Sequence, residues 1–189
     1  DRAREYVGDV VMPTPMAVLN MTDLLAKGAG QEAGLGDTVV VDIGGATTDI
    51  HSACWGTPVT LDVPMVGLEE PFAKRTVEGD LGLRVSAKSL LEVAKRNSLP
   101  KDIAMALKTN QAWMRADYLA SHTETLPNAQ AETEMDVSMA RAAAYLSMER
   151  HAGVVETIQT SSGYQTVQLG KDLTEINVLV GTGGVFSID

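Results

Sequence analysis

Asp42 and Asp49 bracket a run of small and hydroxyl-bearing residues, Ile43-Gly44-Gly45-Ala46-Thr47-Thr48. Gly44 and Gly45 carry no side chain to hold a ligand off the backbone, so successive N–H groups can converge on an anion such as a phosphate. Thr47 and Thr48 add hydroxyl donors. A carboxylate beside a phosphate is repulsive unless a cation lies between them, so the two aspartates fit a hydrated Mg²⁺ at the mouth of the cradle, with Asp42 reaching the metal through water. The plainer alternative is a β-hairpin whose glycine turn is capped by hydroxyls.

Such a cradle has to be carried by strands. Val39, Val40, Val41 and Ile43 form an apolar run bounded by glycines, the pattern of a strand buried on both faces. Asp49 to Trp55 and Val59 to Val63 alternate as two further strands, joined by Gly56-Thr57-Pro58, which gives three antiparallel strands with the cradle at the first turn. Upstream, an apolar stretch from Val7 to Met12 ends at Pro13-Thr14-Pro15. A helix is expected to follow, with Ala17, Val18, Leu19, Met21, Leu24 and Leu25 on its apolar face, methionines as core filler, and Gly28 and Gly30 at its end.

Downstream, Lys74 to Arg84 reads as a Gly/acid loop. Ser86 can cap a helix bearing Leu90, Leu91, Val93 and Ala94, Pro100 can start another, and Trp113 to Leu119 forms a third. Met135, Met139, Ala142, Ala143 and Leu146 recur at helical spacing before Gly153, and Arg150 and His151 would favour the dipole at that helix's C-terminus. Val154–Thr160 and Gln165–Leu169 flank a hairpin turn. Ile176 to Val180 is a last strand, entering Gly181-Thr182-Gly183-Gly184. On its own that glycine run fits a strand-to-helix turn as well as part of a dinucleotide fingerprint, and no full fingerprint follows.

Composition narrows the function classes. Fifteen basic against 25 acidic residues give a net charge of −10, which argues against nucleic acid or an anionic membrane as the main partner. One cysteine, Cys54, gives no internal disulfide framework, fits the reducing cytoplasm and reads as a packed core thiol. His51, His122 and His151 lack metal-ligand spacing. The chain starts at Asp1 without a leader pattern and stops at Asp189 just after a glycine-rich turn, so a piece of a longer protein is expected.

The motif Asp42-x-Gly-Gly-x-Thr-Thr-Asp49 resembles the second phosphate loop of the actin-like ATPases, the superfamily of actin, sugar kinases and the DnaK chaperones. Pro13-Thr14-Pro15-Met16-Ala17 sits where DnaK relatives carry the Pro-Thr-Ala-Ala helix that links two lobes. Four strings narrow the resemblance further: Val41 to Ser52, Lys74-Arg75-Thr76-Val77-Glu78-Gly79-Asp80-Leu81-Gly82, Arg150-His151-Ala152-Gly153 and Val180-Gly181-Thr182-Gly183-Gly184. Together with Pro13-Thr14-Pro15 they resemble the glutamate mutase accessory protein family, GlmL, also called MutL and unrelated to the mismatch-repair MutL.

What the resemblance implies is an α/β chain, one lobe of an actin-like (ribonuclease H-like) ATPase over residues 1–189, with a mixed sheet, flanking helices and a helical insert over 86–153. It implies ATP or ADP with Mg²⁺ as ligand. Gly44, Gly45, Ala46, Thr47 and Thr48 between Asp42 and Asp49 would hold phosphate, while Glu78, Gly79 and Asp80 with Gly181, Thr182, Gly183 and Gly184 would hold ribose and adenosine. The implied role is exchange of damaged cofactor on an adenosylcobalamin-dependent mutase, with the helical block as the surface for that partner. The family's first phosphate loop has no counterpart here, so the residue that orients the attacking water stays unassigned and little activity is expected of this chain alone. A sugar- or acetate-type metabolite kinase and a filament-forming actin relative remain open on the same fold.

Overall fold

The computed structural model describes residues 12–187 with the exception of 59, 61 and 162. The expected apolar stretch from Val7 therefore lies outside the described residues except for Met12, and the expected strand from Val59 to Val63 lies partly outside them.

Helix α1 (Thr14–Lys27) opens the described chain, with Pro15 in its first turn. A two-residue hairpin, β1 (Gly28–Ala29) and β2 (Glu32–Ala33), leads into β3 (Thr38–Ile43) and β4 (Thr48–Ala53). The β3 run is buried except for half-buried Asp42, as its continuous valines require. After the short β5 (Met65–Val66) comes β6 (Ala73–Glu78), then four helices: α2 (Ala87–Arg96), α3 (Lys101–Leu107), α4 (Asn110–Ser121) and α5 (Gln130–His151). Strands β7 (Val154–Thr160), β8 (Gly163–Leu169) and β9 (Val178–Thr182) close the chain.

The central sheet has the order β6-β4-β3-β9, with β9 parallel to β3 and the other pairs antiparallel. A second sheet, β5-β8-β7, lies beside it. The architecture is thus mixed α/β with flanking helices. One apolar cluster joins Val39, Val41, Ile43 and Ile50 of the sheet to Leu90, Leu91, Ile103, Leu119, Met139 and Leu146, so the helices of 87–151 share a core with the sheet. Alanines 140, 142 and 143 let α5 come close to the strands. Helix α1 contacts the same three strands, β3, β4 and β6, from the opposite face.

Three expectations are corrected. The third antiparallel strand of the sheet is β6, within the segment read as a Gly/acid loop. Its polar side chains are cross-linked: Thr76 to His151 at 2.8 Å, Arg75 to Asp49 at 3.1 Å and Lys74 to Glu70 at 2.8 Å. The methionines of α1 do not fill the core, because only Thr22 and Ala26 of that helix are buried while Met16 and Met21 stay half exposed.

The third concerns His151, which is fully buried, with Nε2 at 2.8 Å from Ser52 Oγ. Burial, with Lys74, Lys171 and His51 nearby, depresses its pKa to about 3, so the ring is neutral and gives the helix dipole no charge. Arg150 points instead at Glu78 and Asp80. Cys54 is the buried thiol expected, its pKa pushed up by burial.

A neutral, buried histidine makes stability depend on pH. An unfolded histidine protonates near 6.5 and the folded one near 3, so the stabilisation is complete above 6.5 and drains away as pH falls. Folding free energy should drop by about 1.4 kcal/mol for each pH unit below 6.5 until carboxylates begin to titrate. His51, also depressed by burial, acts in the same direction. Denaturant midpoints measured between neutral and mildly acid pH check this, and His151→Asn should flatten the slope while lowering stability at neutral pH.

Candidate functional site

The register of the β3/β4 hairpin pairs Asp42 with Asp49 and Ile43 with Thr48, leaving Gly44, Gly45, Ala46 and Thr47 as its tip. The tip is clamped through its carbonyls. The Leu83 N–H donates to Gly44 O at 3.0 Å and the Arg84 N–H to Gly45 O at 2.7 Å. The Ser86 hydroxyl reaches Ala46 O at 2.7 Å and Gly79 O at 2.8 Å, donating to one at a time. Ser86 therefore makes no side-chain cap on α2, the role its position predicted.

The peptides are trans, and in a trans peptide the N–H points opposite to the C=O. With three carbonyls turned into the clamp, the N–H groups of Gly45, Ala46 and Thr47 face the open side, where Gly45 and Ala46 are exposed. Successive backbone N–H groups on one side form an anion-binding concavity. The Gly44 N–H is not among them, because it donates to Thr47 O at 2.8 Å within the hairpin. Nor does Thr48 offer a donor. Its hydroxyl is buried and donates to Leu81 O at 2.8 Å, so it pins the foot of the loop while Thr47 stays half-buried at the rim. Beneath the tip, Gly82 is packed so closely that a Cβ there would fall 2.3 Å from the Ala46 carbonyl carbon.

The two aspartates differ. Asp49 is buried and accepts from Arg75 Nη2 at 3.1 Å. Asp42 is half-buried, and its pKa is raised by burial first and by the Asp49 charge second, against weaker pulls from His51 and Arg75. A carboxylate disfavoured as an anion gains from a dication, so Asp42 fits Mg²⁺ at this edge. Among the described residues no group of three or more His, Cys, Asp or Glu side chains could cage a metal, so the ion would take its other ligands from water and phosphate.

Strand β9 places the second glycine run beside the first, since Thr182 pairs with Asp42. Gly183 has φ +106°, and a Cβ there would fall 2.2 Å from Ile43 O, so only glycine suits this crossing. Gly181 lies under the Phe186 ring, while a Cβ on Gly184 would meet nothing within 4 Å. Gly44, Gly45 and Gly184 thereby line one cleft of about 270 Å³, together with Arg84, Asp136 and the segment from Thr123 to Leu126.

Of the expected site residues only Gly44, Gly45 and Gly184 line that cleft; Asp42, Ala46, Thr47, Thr48, Asp49, Gly181, Thr182 and Gly183 lie outside the lining, as do Glu78, Gly79 and Asp80. Glu78 pairs with Thr48 on the far side of the hairpin. Arg150 takes Glu78 and grips both oxygens of Asp80, at 2.7 and 3.0 Å, which holds the Asp80 carboxyl below the usual range. Two acids do line the cleft, Asp136 of α5 and Glu124, and Asp136 is buried and held by Arg115 at 2.9 and 3.2 Å with Arg84 at 3.3 Å. Sequence reading missed Arg84, Asp136 and the 123–126 segment. One signal existed: Asp136 falls on the same helical stripe as Met139, Ala143 and Leu146, where an acid needs a reason.

The MutL protein family model matches residues 1–189. Protein MutL of Clostridium tetanomorphum is 45% identical over 183 residues, covering 97% of this chain. The chain spans only 39% of that relative's length. No solved structure matches the chain. On the family model over the full chain and the identity to this relative, the chain belongs to the MutL protein family.

Proposed function

We propose that this chain is the nucleotide-binding lobe of an actin-like ATPase that, in the full-length protein, reactivates an adenosylcobalamin-dependent mutase such as glutamate mutase. The observation that carries the nucleotide reading is the cleft shared by Gly44, Gly45 and Gly184, glycine loops from opposite ends of the chain brought side by side by the parallel β3/β9 pair. Membership of the MutL family supports the mutase as partner.

In this reading the N–H groups of Gly45, Ala46 and Thr47 bind the phosphates, Thr47 adds its hydroxyl, and the nucleoside lies toward Gly184. Asp42 orients the water shell of Mg²⁺, which when bound would neutralise phosphate charge. Thr48, Asp49 and Gly82 hold the loop in shape. Arg84 and Asp136 border the nucleoside side, and Glu78 and Asp80 reach ribose only by leaving Arg150.

The second lobe belongs to the rest of the full-length protein, and closure of the two lobes sets the affinity for the mutase. The test is retention of the mutase by the immobilised full-length protein with ATP, with ADP and without nucleotide. Nucleotide-dependent retention supports the reading, and equal or absent retention in all three overturns the reactivase role.

Gly184→Val probes the nucleoside end. The position is open and its backbone is not left-handed, so the side chain should fold without cost and intrude only on a ligand. ATP affinity of the full-length protein is expected to fall by about tenfold, with stability within about 0.5 kcal/mol of the parent. Calorimetry and thermal melts of the same preparation check both halves.

A further inference from the structure

Helices α2, α3 and α4 enclose a second cavity, of about 350 Å³, away from the glycine loops. Its walls are Leu91, Ala94, Leu99, Ala104, Leu107 and Trp113, with Lys95 and Lys108 at the rim. Lys101 lies on the same stripe as Ala104 and Lys108, at spacings of three and four, but outside the lining.

The charge around it is anomalous for this chain. Most lysines and arginines among the described residues are in ion pairs: Lys27, Lys74, Arg75, Arg84, Lys88, Arg96, Arg115, Arg141 and Arg150. Lys171 is buried and donates to the Cys54 and Phe72 carbonyls. The remaining three, Lys95, Lys101 and Lys108, are exposed and make no ion pair among the described residues, and two of them, Lys95 and Lys108, line this apolar cavity. On a chain of net charge −10, two uncompensated cations at the rim of one apolar opening favour an acidic partner and repel a basic one.

We infer that this cavity is a docking site for a segment of a partner protein that carries a bulky apolar side chain flanked by carboxylates. The apolar group enters between Leu91, Leu107 and Trp113, and the carboxylates meet Lys95 and Lys108. The anchor supplies most of the affinity and the lysines supply orientation and rate of encounter. The site is independent of the nucleotide reading and stands whether or not the glycine cleft binds ATP.

The probe is a short synthetic peptide with one phenylalanine between aspartates, titrated against the full-length protein by fluorescence anisotropy. Two controls accompany it, one with serine for phenylalanine and one with lysines for aspartates. Saturable binding of the first peptide alone is expected, weakened by about tenfold in Lys95→Glu/Lys108→Glu and also in Ala104→Phe, which fills the cavity from its own wall. These positions are exposed or half-buried, and circular dichroism verifies that both variants fold. Binding that the serine peptide shares is charge attraction alone and overturns the site. So does binding that survives Ala104→Phe, or failure of the full-length protein to bind, which would mean that its own chain covers the cavity.

Discussion

Asp42→Asn in the full-length protein is expected to cut ATP turnover by about a hundredfold or more without lowering thermal stability. The two effects have one source. Burial and the neighbouring Asp49 raise the Asp42 pKa, so the folded state disfavours its charged form. A carboxyl with a raised folded pKa gains stability as pH falls through that value and loses it above, so at neutral pH the ionised group opposes folding. The uncharged isostere removes that penalty and with it the charge that would hold the metal's water shell. Turnover at saturating Mg·ATP and a melting curve at neutral pH check the pair. Unchanged turnover, or a clear fall in the melting temperature, counts against the assignment.

Gly82→Ala should have the second largest effect, on a residue that contacts no ligand. Its added Cβ would stand 2.3 Å from the Ala46 carbonyl carbon and 2.6 Å from Gly45 O, both backbone atoms that cannot rotate aside. The loop must lift, and the Leu83 and Arg84 bonds to Gly44 and Gly45 lengthen with it. Overpacking of this kind typically costs about 1–3 kcal/mol. Because the displaced carbonyls set the direction of the N–H groups, ATP affinity should fall by about tenfold or more. Gly79→Ala is the control: a Cβ there meets nothing within 4 Å, so both quantities should hold. Equal behaviour of the two variants would show that the clamp does not shape the loop.

The parts of the site legible in the sequence are those where one local pattern determines the answer. Val39 to Ile43 can be little but a strand covered on both faces, and a glycine pair followed by threonines can be little but its turn. The helices over 87–151 follow from their apolar spacing in the same way. Strand β6 was illegible because it carries polar side chains whose partners are mostly on other elements: Arg75 meets Asp49, Thr76 meets the His151 ring, and Lys74 reaches the His151 carbonyl as well as nearby Glu70. Ser86 and Thr48 show the same limit. Each has a local role by residue type, a helix cap and a phosphate donor, and each is engaged by a carbonyl that the fold brings from elsewhere. Arg84, Asp136 and Gly184 meet only through the β3/β9 pairing and the docking of α5, a juxtaposition of distant segments that residue spacing does not encode.

The central claim is that the Asp42–Asp49 hairpin and the Gly181–Gly184 turn form one nucleotide site. Hydrogen exchange of the full-length protein, with and without saturating Mg·ATP, tests it most directly. The account predicts slowed exchange in both segments together, strongest at the outward N–H groups of Gly45, Ala46 and Thr47. Saturating nucleotide that leaves both segments unprotected, or protects one without the other, would contradict it.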